Sequence, residues 1–147
     1  YMGKSIRFHE SDVRTTGRAT RGVRGMRLES GNRIVGMEVL THGQSLFVAT
    51  ENGYGKRTSI DEYHVQKRGG KGVITIKTSE RNGRVVAILL VEDDDDVMLM
   101  TDRGKLIRIP VKSVSVISRN TQGVKLIGIE KKEQVVGAAR LPDQNEK

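Results

Sequence analysis

Basic residues recur beside glycine in three short stretches of this sequence, each about 50 residues from the next. The stretches are 18–23 (RATRGV), 66–73 (QKRGGKGV) and 119–124 (RNTQGV), and all of them end in Gly-Val. Lys and Arg neutralise phosphate groups, and glycine lets backbone amides come close to them. These residue types predict contact with a nucleic-acid backbone. The alternative is a solvated basic surface with structural glycines.

The candidate DNA contacts form two sets, both of which recur with the spacing of these stretches. The loop set comprises Arg14, Arg18, Arg21, Arg24, Lys67, Arg68, Lys71, Arg119 and Lys125. If the repeats are equivalent, the three loops lie on one rim and form a curved track for a phosphate backbone. The second set comprises Lys4, Arg7, Lys56, Arg57, Lys105 and Arg108. For this set two alternatives stay open, namely DNA contact and hydrogen bonds to the carbonyls of a neighbouring repeat.

No other cluster of residues indicates catalysis, a metal site or a cofactor. Residues 69–72 (GGKG) lack the GxxxxGK[ST] spacing of a nucleotide-binding loop. Residues 93–96 (DDDD) lack the spaced ligands of a calcium loop, and we expect a solvated turn there. His9, His42 and His64 do not have metal-ligand spacing. We therefore expect a binding domain with no catalytic residues, metal or cofactor.

The composition favours a polyanionic partner. The 147 residues carry a formal net charge of +8, with a sequence pI near 10.0, and such a balance favours nucleic acid or an acidic membrane face. Aromatic residues make up only 3%, which disfavours binders that stack single-stranded bases. No apolar run reaches the roughly 20 residues of a membrane span, and no signal peptide is recognisable. The absence of Cys fits a reducing cytoplasm.

Further positions recur with the same spacing and divide the chain into nearly three repeats. Examples are Gly3, Gly53 and Gly104, and the stretches 34–36, 85–87 and 135–137. A period near 50 residues is typical of repeat proteins, in which each copy packs on its neighbours. One domain is predicted over residues 1–141, with repeats at about 1–50, 51–101 and 102–141, followed by a tail at 142–147.

Short strands are predicted throughout, and nothing indicates a long helix. The predicted strands are 4–8, 23–28, 33–40, 45–50, 56–59, 73–77, 84–91, 97–101, 105–109, 124–129 and 134–141. Turns are predicted at 29–32 and 41–44, and Asn82-Gly83 is the strongest hairpin signal. Ser59, with Glu62 three residues later, predicts a single helical turn.

Four short strands per repeat predict an all-β, propeller-like fold with about three four-stranded blades. Three blades leave two blade faces open, and stacked repeats need capped or paired ends. We therefore expect either a part of a larger disc or self-association of the chain through those faces.

Three motifs carry a family resemblance: 52–58 (NGYGKRT), 78–83 (TSERNG) and 118–124 (SRNTQGV). In this order and spacing the chain resembles the DNA gyrase A C-terminal domain over essentially its whole length. The resemblance implies a β-pinwheel, a propeller-like disc usually of six blades that exchange strands, of which this chain matches the last three. It also implies that the domain wraps duplex DNA around its rim and so supports ATP-dependent negative supercoiling.

The same resemblance implies the partners of this domain, and one motif departs from the family pattern. The partners are duplex DNA, the rest of gyrase A, and gyrase B, in the bacterial cytoplasm. The catalytic tyrosine and the ATPase lie outside this domain. The family's signature box, Gln-Arg-Arg-Gly-Gly-Lys-Gly, belongs to the first blade, whereas residues 66–72 differ from it only at Lys67 and lie in a middle repeat. The related C-terminal domain of topoisomerase IV and a propeller used for protein interaction are the alternatives.

Overall fold

The computed structural model describes residues 1–41 and 44–143. It contains nine strands: β1 (Lys4–Ser5), β2 (Ser45–Thr50), β3 (Tyr54–Ser59), β4 (Val73–Ile74), β5 (Val85–Val91), β6 (Asp96–Thr101), β7 (Leu106–Pro110), β8 (Val124–Lys125) and β9 (Val135–Leu141). Three single 3₁₀ turns, Glu10–Asp12, Ile60–Glu62 and Val111–Ser113, are the only helical segments in this part of the chain. None of them is long enough to cross a membrane. The predicted all-β fold is confirmed.

The second blade is a complete four-stranded sheet, in the order β5-β2-β3-β8, and its strand β2 lies at the end of the first repeat. β2 and β3 form a hairpin, with Ser45 opposite Ser59, and β5 pairs antiparallel with the other edge of β2. The fourth strand, β8, comes from the third repeat, where Val124 lies opposite Gly55. Neighbouring repeats are therefore joined by an exchanged strand as well as by the chain itself.

The first and third blades have fewer strands than the predicted four. The first contains β1 paired with β4 of the second repeat, and the third has the order β7-β6-β9. Residues 33–40 correspond to β5 and β9, but no strand of the described chain pairs with them, although Val35 packs in the same apolar cluster as Ile88 of β5. A segment becomes a strand only when a partner satisfies its backbone groups, so the strand predicted at 33–40 is wrong here.

The remaining strand predictions differ in how well they hold. The strand at 45–50 is confirmed at its predicted bounds, and those at 84–91, 97–101, 105–109 and 134–141 are confirmed to within one residue. The segments 4–8, 73–77 and 124–129 contain only two-residue strands, and 23–28 contains none. Their other backbone groups bond to loops of a neighbouring repeat, as the Leu126 amide does to Gly53 O and the Arg27 amide to Gly70 O. The positions 42–43 of one predicted turn, together with His42, and residues 144–147 of the tail lie outside the described residues.

The predicted Asn82-Gly83 hairpin is wrong, because the segments on either side pair with different sheets. β4 pairs with β1, whereas β5 pairs with β2. The Asn82 side chain is fully buried, and its amide donates to Lys77 O at 2.8 Å and to Gln122 O at 2.9 Å. Asn82 therefore bridges two repeats instead of turning a hairpin.

The predicted helical turn at 59–63 is confirmed as the 3₁₀ turn Ile60–Glu62. Ser59 Oγ caps it by accepting from the Asp61 amide at 3.3 Å. The Glu62 carboxylate bonds across repeats, accepting from the Arg119 amide at 3.0 Å. This turn therefore links its own blade to the third basic stretch.

Two apolar clusters form the core, and each lies between neighbouring blades. The larger packs Phe47, Val91 and Leu99 between the second and third blades, and the smaller packs Val48 and Ile76 between the first and second. All five side chains are at most 1% exposed. Because the apolar surface is buried between blades, each blade depends on its neighbour for stability.

Candidate nucleic-acid interface

Three loops carry the basic stretches, and we call them the rim loops: loop 1 (residues 13–27), loop 2 (residues 64–72) and loop 3 (residues 115–123). Loops 1 and 2 bond through their backbones, from the Gly69 amide to Gly25 O at 2.7 Å and from the Arg27 amide to Gly70 O at 2.8 Å. Loop 3 contacts the segment that follows loop 2, where the Lys77 amide donates to Thr121 O at 2.8 Å. The three loops therefore form one continuous band across the repeats.

Arg68 and Arg119 occupy the same repeat position, and both connect consecutive repeats. Arg68 donates from Nη1 to Arg24 O and from Nε to Asp12 O at 3.1 Å. Arg119 donates from Nη1 to Ile74 O at 2.9 Å, and Ile74 is the repeat equivalent of Arg24. Both arginines thus position the rim loops through backbone carbonyls, a role that the sequence did not predict for them.

The exposed members of the loop set lie on or beside the rim loops. They are Arg14, Arg18, Arg21 and Arg24 of loop 1, Lys67 and Lys71 of loop 2, and Lys125 of β8. No acidic residue occurs in 13–28, 63–79 or 113–129, although Glu29 lies close enough to Lys71 to interact with its charge. Two further exposed cations, Arg27 and Lys77, lie in the same segments. The sequence-based predictions did not include Arg27 and Lys77, and the absence of acidic residues around them in the chain was the signal that could have found them.

Lys56 is buried, so its predicted DNA contact is wrong. Its Nζ donates to Ser118 O at 2.6 Å, Arg119 O at 2.5 Å and Thr121 Oγ1 at 3.1 Å, and the residue is 0% exposed. Burial lowers the pKa of Lys56 to about 8, against the opposing effect of Glu62. The ammonium group holds loop 3 in its bend from the inside.

Arg57 is also unavailable to a partner, because its guanidinium donates from Nε to Val114 O at 2.5 Å inside the protein. Arg7, at the same repeat position, donates to Tyr63 O at 2.9 Å, and Tyr63 is the repeat equivalent of Val114. Of the two alternatives, hydrogen bonding to the carbonyls of a neighbouring repeat is therefore the correct one for these two arginines. Each fixes the 3₁₀ turn of the next blade.

The last members of the second set are paired with carboxylates. Lys105 Nζ lies 3.1 Å from the buried Glu133 carboxylate, and Arg108 Nε donates to Asp96 Oδ2 at 2.6 Å. Lys4 Nζ lies 2.6 Å from Glu29 Oε1. A cation with an acidic partner releases fewer counterions from a phosphate backbone than an unpaired one. Lys105 and Arg108 also lie on or next to β7, outside the rim loops.

The acidic run 93–96 forms the expected turn, in which Asp93 and Asp94 are exposed, but it also binds arginines. Asp95 is 3% exposed, and its carboxylate accepts from Arg140 Nε at 2.6 Å and Nη2 at 3.1 Å. Asp93 and Asp96 bond to Arg57 and to Arg108. Within residues 1–41 and 44–143, no cluster of His, Asp or Glu could hold a metal ion. The run therefore serves as an anchor for arginines of the second and third repeats.

The fold and the rim loops define the class: a propeller-type repeat protein whose blades exchange strands and display basic loops in one band. The chain belongs to the DNA gyrase A C-terminal domain family. The family model described as "DNA gyrase C-terminal domain, beta-propeller" matches residues 3–41, 44–92 and 95–142.

Relatives and solved structures agree with this family. The A subunit of DNA gyrase from Escherichia coli strain K12 is 48% identical over 141 residues, which cover 96% of this chain and 16% of that protein. A solved DNA gyrase A C-terminal domain matches 96% of this chain and 48% of its own, with a TM-score of 0.88 and 30% identity. The C-terminal domain of DNA topoisomerase IV matches 95% of this chain and 44% of its own, with the same TM-score and 26% identity.

Proposed function

We propose that this chain is a non-catalytic, DNA-binding part of gyrase A, which bends duplex DNA along the rim loops. The observation that carries the proposal is the continuous band of exposed cations in segments without acids. The chain spans only 16% of the length of a curated relative, so the remaining steps belong to other parts of such a protein. In that setting the bent DNA supports ATP-dependent negative supercoiling in the bacterial cytoplasm, together with gyrase B.

The chemistry of the band favours backbone contact over base reading. Flexible Lys and Arg side chains on loops attract phosphates and release condensed counterions. No element of the described chain is a helix that could enter a major groove. Sequence preference then arises from how easily the duplex bends. With about six phosphates neutralised, affinity should fall on the order of 1,000-fold between 50 and 200 mM salt.

The first experiment measures duplex affinity against salt for the parent and two triple variants. The rim variant replaces Arg18, Lys71 and Lys125 with Ala, one cation for each repeat. The control replaces Arg84, Lys112 and Lys131, which are equally charged and exposed but lie outside the rim loops.

The rim variant should lower the slope of log affinity against log salt by about 0.9 for each lost phosphate contact, hence by about 2.7. The control should keep the parent slope. Equal slopes for the two variants would remove the rim loops from the DNA path. A parent without salt-dependent affinity would end the proposal and favour a protein-interaction platform.

Wrapping needs a separate readout, because binding alone does not bend a duplex. Relaxed plasmid is incubated with the chain and a type I topoisomerase, and its linking number is measured after the protein is removed. A change in linking number that grows with protein concentration is expected if the band guides DNA around the blades. Salt-steep binding with no change in linking number would restrict the function to binding.

A further inference from the structure

Loops 2 and 3 are each anchored to a basic residue by the same backbone hydrogen bond. The Arg27 amide donates to Gly70 O at 2.8 Å, and the Lys77 amide donates to Thr121 O at 2.8 Å. Arg27 is the repeat equivalent of Lys77, and Gly70 is that of Thr121. Both basic side chains are exposed. The path of each loop therefore decides where an exposed cation of the band lies.

The residues that pack against the inside of these two loops differ. Ile6 packs against loop 2, where its Cδ1 is 3.5 Å from the position that a Cβ would take on Gly70. The repeat equivalent of Ile6 is the fully buried Lys56, which packs against loop 3. Its Nζ donates to Thr121 Oγ1 at 3.1 Å as well as to two carbonyls of the loop. Loop 2 thus pairs an apolar side chain with glycine, and loop 3 pairs an ammonium group with a hydroxyl.

The backbones of the two loops also bend by different means. Gly69 of loop 2 has φ +82°, a conformation that residues with a Cβ seldom adopt. Asn120, at the same repeat position in loop 3, does not have a positive φ. Instead, the carbonyls of the two residues before Asn120 both accept from Lys56 Nζ, at 2.6 and 2.5 Å. A glycine bends loop 2, and a buried cation holds the bend of loop 3.

We propose that Lys56 positions loop 3 for DNA contact, and that the proton on its ammonium group makes this part of the band, unlike loop 2, sensitive to pH. The inference rests on the proposed function, because it concerns the same band. The ammonium group is buried and cannot reach a phosphate itself. It acts through Lys77, whose amide is bonded to Thr121 O, and through Lys125 of β8, two residues beyond the end of loop 3.

The groups around Lys56 favour loss of this proton. Burial lowers the pKa of Lys56 to about 8, Glu62 opposes this effect, and Arg119 of loop 3 adds to it. On β2, Val48 lies directly opposite Lys56 and carries no charge. Tyr63 lies beside Glu62 and Arg119, and because burial raises the pKa of Tyr63, its hydroxyl stays neutral while Lys56 titrates. The pH response of loop 3 is therefore that of Lys56.

Loss of the proton removes a donor that loop 3 needs. The ammonium group has three N–H bonds for three acceptors, whereas a neutral amine has two, so one oxygen of the loop loses its partner. The bonds that remain are no longer charge-assisted and are weaker. The fold as a whole gains stability, because no charge is buried any longer, but loop 3 is held less firmly. DNA affinity should therefore fall above pH 8.

Three variants separate the position of loop 3 from the charge of Lys56. Lys56→Met removes the ammonium group and leaves its acceptors without a donor. A triple variant, Lys56→Ile with Asn120→Gly and Thr121→Gly, gives loop 3 the packed isoleucine and the two glycines of loop 2. Lys112→Met is the control, because Lys112 is exposed and lies outside the rim loops.

Duplex affinity is measured against salt at pH 7 and pH 9.5. At pH 7, Lys56→Met should lower the salt slope by up to about 1.8, from about 0.9 for each of Lys77 and Lys125, and the triple variant should restore the parent slope. At pH 9.5, the slopes of the parent and of Lys112→Met should fall toward that of Lys56→Met, while the triple variant keeps its slope. A parent slope that is equal at both pH values, or a triple variant as weak as Lys56→Met, would overturn the proposal.

Hydrogen exchange of single amides, followed by NMR at pH 7, distinguishes a failure of this inference from a failure of the proposed function. The Lys77 amide, bonded to Thr121 O, should exchange faster in Lys56→Met than in the parent, and the Arg27 amide, bonded to Gly70 O, should not. A parent without salt-dependent DNA affinity would end the proposed function, and with it the DNA role of Lys56. If the parent binds DNA as proposed but both amides exchange in Lys56→Met as they do in the parent, Lys56 does not hold loop 3, and this inference alone fails.

Discussion

Replacing Lys56 with Met should remove a rise in stability that the parent shows between pH 8 and pH 10. Lys56 is buried beneath loop 3 and donates three hydrogen bonds there. Burial disfavours its charged form, and the pKa of Lys56 is lowered to about 8. Met has a similar length and no proton to lose, so the variant removes the titration with little change in packed volume.

The direction of this change in stability follows from how many protons the folded and the unfolded chain bind. The unfolded lysine has a pKa of about 10.4, so between that value and the folded one the unfolded chain binds more protons. Stability therefore rises with pH across this interval. Each unit of pKa difference corresponds to about 1.36 kcal/mol, which gives a rise of about 2–3 kcal/mol by pH 10.

Urea unfolding followed by circular dichroism gives the free energy of unfolding at pH 7, 8, 9 and 10. The difference between parent and variant is the quantity of interest, because other titrations occur in both. Burial raises the pKa of Tyr63, and burial together with Arg33 lowers the pKa of the Tyr1 amino group. If parent and variant change in parallel over this range, the Lys56 ammonium is not desolvated, and the reasoning from its burial fails.

Three more predictions concern the edges and loops. The Glu133 carboxylate accepts hydrogen bonds from the Glu130 amide and from Thr101, and these lower the pKa of Glu133 to about 2. The stabilising effect of the carboxylate should therefore be lost as pH falls from about 5 to 2. In acid unfolding curves, Glu133→Gln should lose less stability than the parent over this range. Gly72→Ala should cost more than about 2 kcal/mol by urea unfolding, because φ is +72° and a Cβ would lie 2.2 Å from a backbone oxygen. Gly22→Ala, with open space, should cost only about 1–2 kcal/mol, and equal costs would contradict the close approach. Arg68→Ala should lower the midpoint of thermal unfolding, because it removes the hydrogen bonds that hold loops 1 and 2 together. Lys67→Ala should lower DNA affinity and leave that midpoint unchanged. The reverse pattern would mean that Arg68, and not Lys67, contacts DNA.

Repetition made much of the fold predictable from sequence. The strands 45–50 and 84–91 carry continuous β-branched and apolar runs, and such runs specify buried strands wherever a partner is present. The exchange of β8 could not be predicted in this way. Val124 and Lys125 read as a continuation of their own repeat, and only the three-dimensional pairing shows that they complete the preceding blade.

The candidate site was predictable by charge but not by the role of each residue. Lys56 was grouped with its basic neighbour Arg57, yet its repeat equivalents are Ile6 and Ile107. A lysine at an otherwise apolar position was a signal of burial. For Arg68 no such signal existed, because a loop arginine bonded to carbonyls and one directed at phosphate have the same sequence context.

The exchanged strand affects how the chain folds during synthesis and how it unfolds after damage. The four-stranded blade needs β2, which begins at Ser45, and β8, which ends at Lys125, so no single repeat contains a finished sheet. A nascent chain must hold the β3 edge unpaired until the following repeat has left the ribosome, and long-range pairing of this kind folds slowly. Damage to one repeat then exposes the edge of the repeat before it, so loss of structure spreads backwards along the chain.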